Sequence, residues 1–188
     1  MTNEELNDFL KVFYRLKESS IVKDYGFDDE WNMFIKKILF LSPKSYGTKI
    51  QNRIISKNLL QPVKANEDKG DFKKNNRYFE IKTSLLTITN QNANVTGIRP
   101  WQKIEGYYIF IIDARVFESI NTYAFRLTKD EMASELEIIN NNPVNGTKKA
   151  NEANQNLPLR FALSLDSEDF TRWTREYLFN NDEIIQKL

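Results

Sequence analysis

The stretch GDFKKNNRYFEIKTSLL, residues 70–86, decides our prediction of the fold. A polar turn with Asp71 precedes a run in which large apolar and charged residues alternate, as is typical of a half-buried strand. Since successive side chains of a strand point to opposite faces, Glu80 and Lys82 should share one face while Phe79 points to the other. Burying an acid and an amine is costly unless a partner or a metal ion compensates. We therefore predict that Asp71 and Glu80 hold a divalent cation beside Lys82.

The size and composition of the chain favour one domain. Its 188 residues are 40% hydrophobic, which is enough to bury a substantial core. We predict a single domain over residues 1–188, in which a helical region at 1–42 serves dimerisation or covers the core. The sequence has no apolar run of membrane-spanning length, and its first residues, MTNEELNDFL, lack the basic and then apolar pattern of a signal peptide. We therefore expect a cytoplasmic protein.

The absence of histidine and cysteine restricts the chemistry. It excludes Ser-His-Asp hydrolases, histidine-ligated zinc proteases, thiolate nucleophiles and nucleases with a histidine base. Hydrolysis would have to rely on carboxylates, lysine and an oxygen-preferring ion such as Mg²⁺. With 27 Lys and Arg against 26 Asp and Glu, the net charge of +1 neither requires nor excludes a nucleic-acid partner.

The remaining pattern predicts an α/β (α+β) protein with a mixed sheet flanked by helices. Helices are predicted at residues 3–18, 28–41 and 45–59, a strand hairpin within 70–86, and strands at 107–113 and 122–127. Thr128 and Glu131 have the spacing of a capping box and should begin a helix that runs to about residue 140. Residues 140–156 should form a long exposed loop, followed by a strand at 158–165 and a last helix capped by Asp166 or Ser167.

Asp71, followed on the next strand by Glu80-Ile81-Lys82, resembles the PD-(D/E)XK motif of type II restriction endonucleases, with the closest similarity to the compact, PvuII-like members. The resemblance implies a restriction-endonuclease-like fold and Mg²⁺ as cofactor. The carboxylates and the Ile81 carbonyl would be the metal ligands, and Lys82 would orient or deprotonate the attacking water. Many members carry an extra acidic ligand on the preceding helix, and Gln51 occupies that position here as an accessory residue.

The resemblance also implies double-stranded DNA as substrate and a homodimer, because each such site cuts one strand of a symmetric target. Hydroxyl, amide and cationic side chains near the motif and in the Asn-rich loop are the types that contact phosphates and base edges. The predicted DNA contacts are Thr83, Ser84, Arg99, Gln102, Lys103, Asn145, Thr147, Lys148, Lys149, Asn151 and Asn154.

Two alternatives stay open, because a Glu-x-Lys pattern on a strand is by itself usually an ion pair. The chain could be a repair or nicking nuclease that acts as a monomer or with a partner. It could also be a catalytically silent DNA-binding module in which Glu80 and Lys82 form a structural pair.

Overall fold

The structure is a computed structural model that describes residues 31–39, 41–64, 68–116, 120–139, 142–143 and 158–179. Its helices are α1 (Trp31–Ile38), α2 (Pro43–Lys57), α3 (Lys129–Ile138) and α4 (Glu168–Glu176). Its strands are β1 (Gln61–Pro62), β2 (Phe72–Lys74), β3 (Arg77–Leu86), β4 (Asn92–Ile98), β5 (Gly106–Asp113), β6 (Asn121–Thr128), β7 (Asn142–Pro143) and β8 (Leu159–Ser164). The helix predicted at residues 3–18 lies outside the described residues.

The strands form two sheets. The first has five strands in the order β1-β2-β3-β5-β6, with β3 and β5 parallel and the other pairs antiparallel. This arrangement confirms the predicted mixed sheet flanked by helices. The second sheet, β4-β8-β7, is antiparallel and was not predicted. Because residues 142–143 pair with β8, the prediction of a continuous exposed loop over residues 140–156 is wrong at that point.

The β2–β3 hairpin places Asp71 beside β3. Asn75 and Asn76 have φ values of 49° and 65°, the positive values that a two-residue type I′ turn requires at both positions. At the other end of β2, the backbone N–H of Asp71 donates to the carbonyl of Phe79 over 2.7 Å. A Cβ placed on Gly70 would lie 2.1 Å from that carbonyl oxygen, so the approach requires glycine.

The five-stranded sheet has a hydrophobic core on each face. On one side, here called the helical face, α1 and α2 pack on Phe79, Ile81 and other apolar side chains of β3 and β5. On the other side, here called the second-sheet face, Tyr107 and the alternate residues of β5 pack with β4, β8, α3 and α4. The predicted alternation of β3 is confirmed for Phe79 and Ile81.

Capping and a buried carboxylate fix the helices on the second-sheet face. Thr128 and Glu131 form the predicted capping box of α3, and Ser167 caps α4 by accepting a hydrogen bond from the Phe170 N–H. Buried Glu135 of α3 accepts hydrogen bonds from Arg172 and Trp173 of α4, so the two helices are held together by a fully paired acid. In the described ranges, every helix is too short or too polar to cross a bilayer.

Candidate functional site

Asp71 lies where the hairpin, β3 and α2 meet. Its Oδ2 accepts a hydrogen bond from the Ile81 N–H over 2.7 Å, and the Gln51 side chain of α2 also hydrogen-bonds its carboxylate. In a strand, the N–H and the C=O of one residue point toward the same neighbouring strand. The Ile81 carbonyl therefore faces the side on which Asp71 lies. Three of the predicted site residues are thus brought together.

Glu80 and Lys82 form a largely buried ion pair. The Lys82 Nζ lies 2.5 Å from the Glu80 Oε1, and the two side chains are 15% and 7% exposed. Gly97 lies at a bulge in β4 with φ of +72°, and a Cβ placed there would be 3.6 Å from the Lys82 Nζ. Both charges therefore point to the second-sheet face, as the strand alternation predicts.

Gln102 is part of this site rather than of a DNA-contacting surface. It is 1% exposed, and its Nε2 donates a hydrogen bond to the Glu80 Oε2 over 3.4 Å. A turn closed by a 3.0 Å hydrogen bond from the Gln102 N–H to the Arg99 carbonyl carries the side chain inward. Its Oε1 is buried and has no hydrogen-bond partner among the described residues. The prediction that Gln102 contacts DNA is therefore wrong, because the side chain does not reach the surface.

The electrostatics of the site show an excess of negative charge. Burial and the charge of Glu80 raise the pKa of Asp71 from its ordinary 3.8 to about 6, although the Ile81 N–H, Lys82 and Gln51 act to lower it. Burial and the same Glu80 charge also raise the pKa of Tyr107. Tyr107 lies opposite Glu80 in the parallel β3–β5 register and was not among the predicted site residues. A single Lys82 thus leaves the two carboxylates incompletely compensated.

The oxygen donors of the site are of the types that a hard divalent cation prefers. They come from the Asp71 and Glu80 carboxylates, the Ile81 carbonyl and the Gln102 side chain, and Mg²⁺ and Ca²⁺ prefer such ligands. Across the described ranges, no three acidic side chains come together as a metal-binding group. A metal held here would therefore rely on two carboxylates and on neutral oxygens.

The other predicted DNA contacts have different positions. Ser84 is 2% exposed and buried on the second-sheet face, so its prediction as a DNA contact is wrong. The Thr83 side chain faces α2, where its Oγ1 lies 3.3 Å from a Cβ placed on Gly47. Arg99 is partly exposed, and Lys103 is exposed with its Nζ 3.7 Å from the Asp68 Oδ2. These two can reach a ligand at the surface. The loop residues Asn145, Thr147, Lys148, Lys149, Asn151 and Asn154 lie outside the described residues.

Comparisons with known proteins do not assign the chain to a family. No protein-family model matches the sequence, and no curated protein matches it significantly.

Proposed function

We propose that this chain is a Mg²⁺-dependent, site-specific DNA endonuclease of the type II restriction class, which hydrolyses phosphodiester bonds in double-stranded DNA. One observation carries the proposal. The Asp71 carboxylate is held by the Ile81 N–H and has a pKa raised to about 6 by burial and by Glu80, whose own carboxylate contacts Lys82 over 2.5 Å. This set of groups resembles the PD-(D/E)XK motif, and perturbed carboxylates in such a cluster are typical of functional sites.

Asp71 and Glu80, with the Ile81 carbonyl, would hold the ion. When bound, Mg²⁺ would polarise a water molecule and offset negative charge on the phosphate. In hydrolysis the water oxygen adds to phosphorus, the bond to the departing sugar oxygen breaks, and that oxygen takes up a proton. Lys82 contacts Glu80 and would orient or deprotonate the water and neutralise charge on the phosphate.

The proposal includes the assembly and the partner. Cutting both strands of a symmetric site requires two subunits related by a two-fold axis, so we propose a homodimer. We also propose that it acts in the cytoplasm. Arg99 and Lys103 follow β4 close to Gln102, and they are the described cations that would meet the DNA backbone or bases there.

The test is cleavage of a varied, unmethylated, fully sequenced DNA in Mg²⁺, with cut positions mapped on both strands. We expect discrete cuts that disappear with Asp71→Ala, Glu80→Ala and Lys82→Ala. Arg160→Ala, a change at an exposed residue of β8, is the control that should leave the pattern intact. If the wild-type protein leaves such DNA uncut and Lys82→Ala behaves identically, the proposal fails.

A silent DNA-binding module is the second candidate, because the 2.5 Å contact between Lys82 and Glu80 is also what a structural pair would show. Metal titration separates the two functions. A silent module should not bind Mg²⁺ or Ca²⁺, and Asp71→Ala should leave its DNA affinity unchanged or raise it by removing repulsion from phosphate. Sedimentation with and without duplex DNA distinguishes the proposed dimer from a monomeric nicking enzyme.

A further inference from the structure

Two lysine side chains converge on one aromatic ring beside the candidate active site. The Nζ atoms of Lys69 and Lys73 lie 5.2 and 5.7 Å from the centre of the Tyr78 ring. Tyr78 is half-buried and packs against the core on the second-sheet face. An aromatic ring attracts an ammonium group within about 6 Å of its centre. Tyr78 therefore holds two like charges near each other, and we call these three residues the lysine cluster.

The lysine cluster adjoins the groups of the proposed active site. Tyr78 precedes Glu80 by two residues on the same face of β3, and two residues of a strand span about 7 Å. The Lys69 carbonyl accepts a hydrogen bond from the Gln102 Nε2 over 3.5 Å. Two nucleotides of one DNA strand also rise by about 7 Å. A DNA backbone that crosses the active site would therefore reach the cluster within about two nucleotides.

The acids next to the lysine cluster already have cationic partners. Glu105 pairs with Arg77 over 2.8 Å. The Asp68 Oδ2 lies 3.7 Å from the Lys103 Nζ. In the part of the chain that the structure describes, the two lysines of the cluster form no ion pair. The cluster thus keeps two positive charges that an external anion can neutralise.

We propose that the lysine cluster binds the backbone of duplex DNA beside the phosphate that is cut. This inference rests on the proposed nuclease activity and adds the path of the DNA, which runs over the second-sheet face toward the hairpin. A lysine ammonium is a compact charge with three donors, so it binds phosphate oxygens whatever the base. The ring limits where the two ammonium groups can lie, and less ordering is then needed when a phosphate binds.

The experiment compares two double variants that remove the same charge from opposite faces of the sheet. Lys69→Ala/Lys73→Ala removes the cations of the cluster. Lys74→Ala/Arg126→Ala is the matched control, because these two side chains line a pocket with Phe79 of the helical face. Fluorescence anisotropy measures binding to a labelled duplex in EDTA, so that no cleavage occurs, at salt concentrations between about 50 and 200 mM.

The cluster variant should bind the duplex about tenfold more weakly at the lower salt concentration. The slope of log Kd against the logarithm of the salt concentration should fall by about two, since two phosphate contacts are lost. The control variant should keep the wild-type affinity and slope. Lys69→Ala alone changes an exposed residue, so it should fold, and its slope should fall by about one. Lys69→Arg/Lys73→Arg retains both charges and should restore binding.

Three results would overturn the inference. These are a wild-type protein that binds no duplex, an unchanged salt slope in the cluster variant, and equal losses in the cluster and control variants. The last result would show that only the total charge matters. Because binding is measured without metal, the two proposals can fail separately. A chain that cuts DNA although the cluster variant binds normally would refute the DNA path alone, and cluster-dependent binding without cleavage in Mg²⁺ would refute the nuclease alone.

Discussion

The side-chain amide of Gln102 donates a hydrogen bond to the Oε2 of Glu80 over 3.4 Å, while Lys82 contacts the Oε1 of the same carboxylate over 2.5 Å. Each oxygen of a buried acid thus has its own donor, and the acid is held in one orientation. The amide oxygen of Gln102 remains as a buried acceptor without a partner among the described residues. Gln102 therefore positions the Glu80 carboxylate, and its amide oxygen can accept a hydrogen bond from bound water or from a ligand.

Replacing Gln102 should weaken metal binding. Gln102→Leu removes the donor to Glu80, and the loss of such a supporting contact typically reduces metal affinity about 10- to 100-fold. Titration with Mn²⁺ or Mg²⁺ measures this directly, and Gln61→Leu on exposed β1 is the control. In Gln102→Glu, the added carboxylate should move the pH midpoint of metal binding upward, because a like charge disfavours ionisation of Asp71. Unchanged affinity and midpoint in both variants would show that Gln102 only fills space.

Metal binding should rise with pH through about 6. The pKa of Asp71 is raised to about 6, and a carboxylate must lose its proton to serve as a ligand. Below that value we expect affinity to fall about tenfold per pH unit, since one proton is released for each ion bound. Mn²⁺ titrations between about pH 5 and pH 8 check this slope. An affinity that is flat across that range would contradict the assignment of Asp71 as a ligand.

Asp71→Asn should stabilise the metal-free protein at neutral pH. The folded-state pKa of about 6 lies above the ordinary value of 3.8, so the contribution of Asp71 to stability is fully present below pH 3.8 and is lost as the pH rises to about 6. At pH 8 the charged Asp71 therefore opposes folding, and removing its charge should raise the free energy of unfolding by about 1–3 kcal/mol. Urea unfolding at pH 8 and pH 4 in EDTA tests this.

The comparison at pH 4 is the control for Asp71→Asn. There the folded wild-type carboxyl is largely protonated, so the gain seen at pH 8 should shrink to a small fraction. A variant that is equally stabilised at both pH values, or destabilised at pH 8, would show that the charge of Asp71 is compensated in the folded state.

The parts of the site that lie close together along the chain were predictable. Asp71, Ile81 and Lys82 belong to one hairpin, whose Asn75-Asn76 turn and strand alternation fix their relative positions. Placing Gln51 beside Asp71 required the family resemblance, because α2 is separate in sequence. The local sequence pattern was therefore enough to predict the relative positions of the hairpin residues, but not that of Gln51.

The errors share one physical cause. Strand β4 alternates small Ala93 and Val95 with Asn and Thr, a weak signal, and it pairs with β8 far along the chain. Without this second sheet, the face that carries Ser84 and leads to Gln102 looked open to DNA. The second sheet covers this face, so Ser84 and Gln102, which were both predicted as DNA contacts, are buried. Such burial depends on long-range pairing that the local pattern of these residues does not reveal.

Gly70→Ala should destabilise the hairpin. The added Cβ would lie 2.1 Å from the Phe79 carbonyl oxygen, so the backbone must move, and forced overpacking typically costs about 1–3 kcal/mol. Gly47→Ala is the matched control within α2. Its Cβ would lie 3.3 Å from the side-chain oxygen of Thr83, and alanine favours a helix by up to about 1 kcal/mol. If urea unfolding shows equal effects for both changes, the close approach at Gly70 does not constrain the hairpin.

Lys82→Met should destabilise the protein strongly, and a second change should reverse most of the loss. Removing the amine leaves Glu80, with a side chain 7% exposed, as a buried charge, and breaking a buried pair in this way typically costs about 3–5 kcal/mol. In Glu80→Gln/Lys82→Met no charge remains, so the double variant should be markedly more stable than Lys82→Met. Urea unfolding of the wild type, both single variants and the double variant at pH 8 gives the coupling energy.

The Arg77 and Glu105 pair provides the comparison for that cycle. It has a similar separation of 2.8 Å but exposed side chains, so the same analysis should give a coupling energy of at most about 1 kcal/mol. A coupling energy for Glu80 and Lys82 no larger than this would mean that water reaches both groups. Leaving Glu80 without its partner would then not cost the free energy expected for a buried charge. A large coupling together with full loss of metal binding in Glu80→Gln would instead tie the buried pair to the ion that Asp71 is proposed to share.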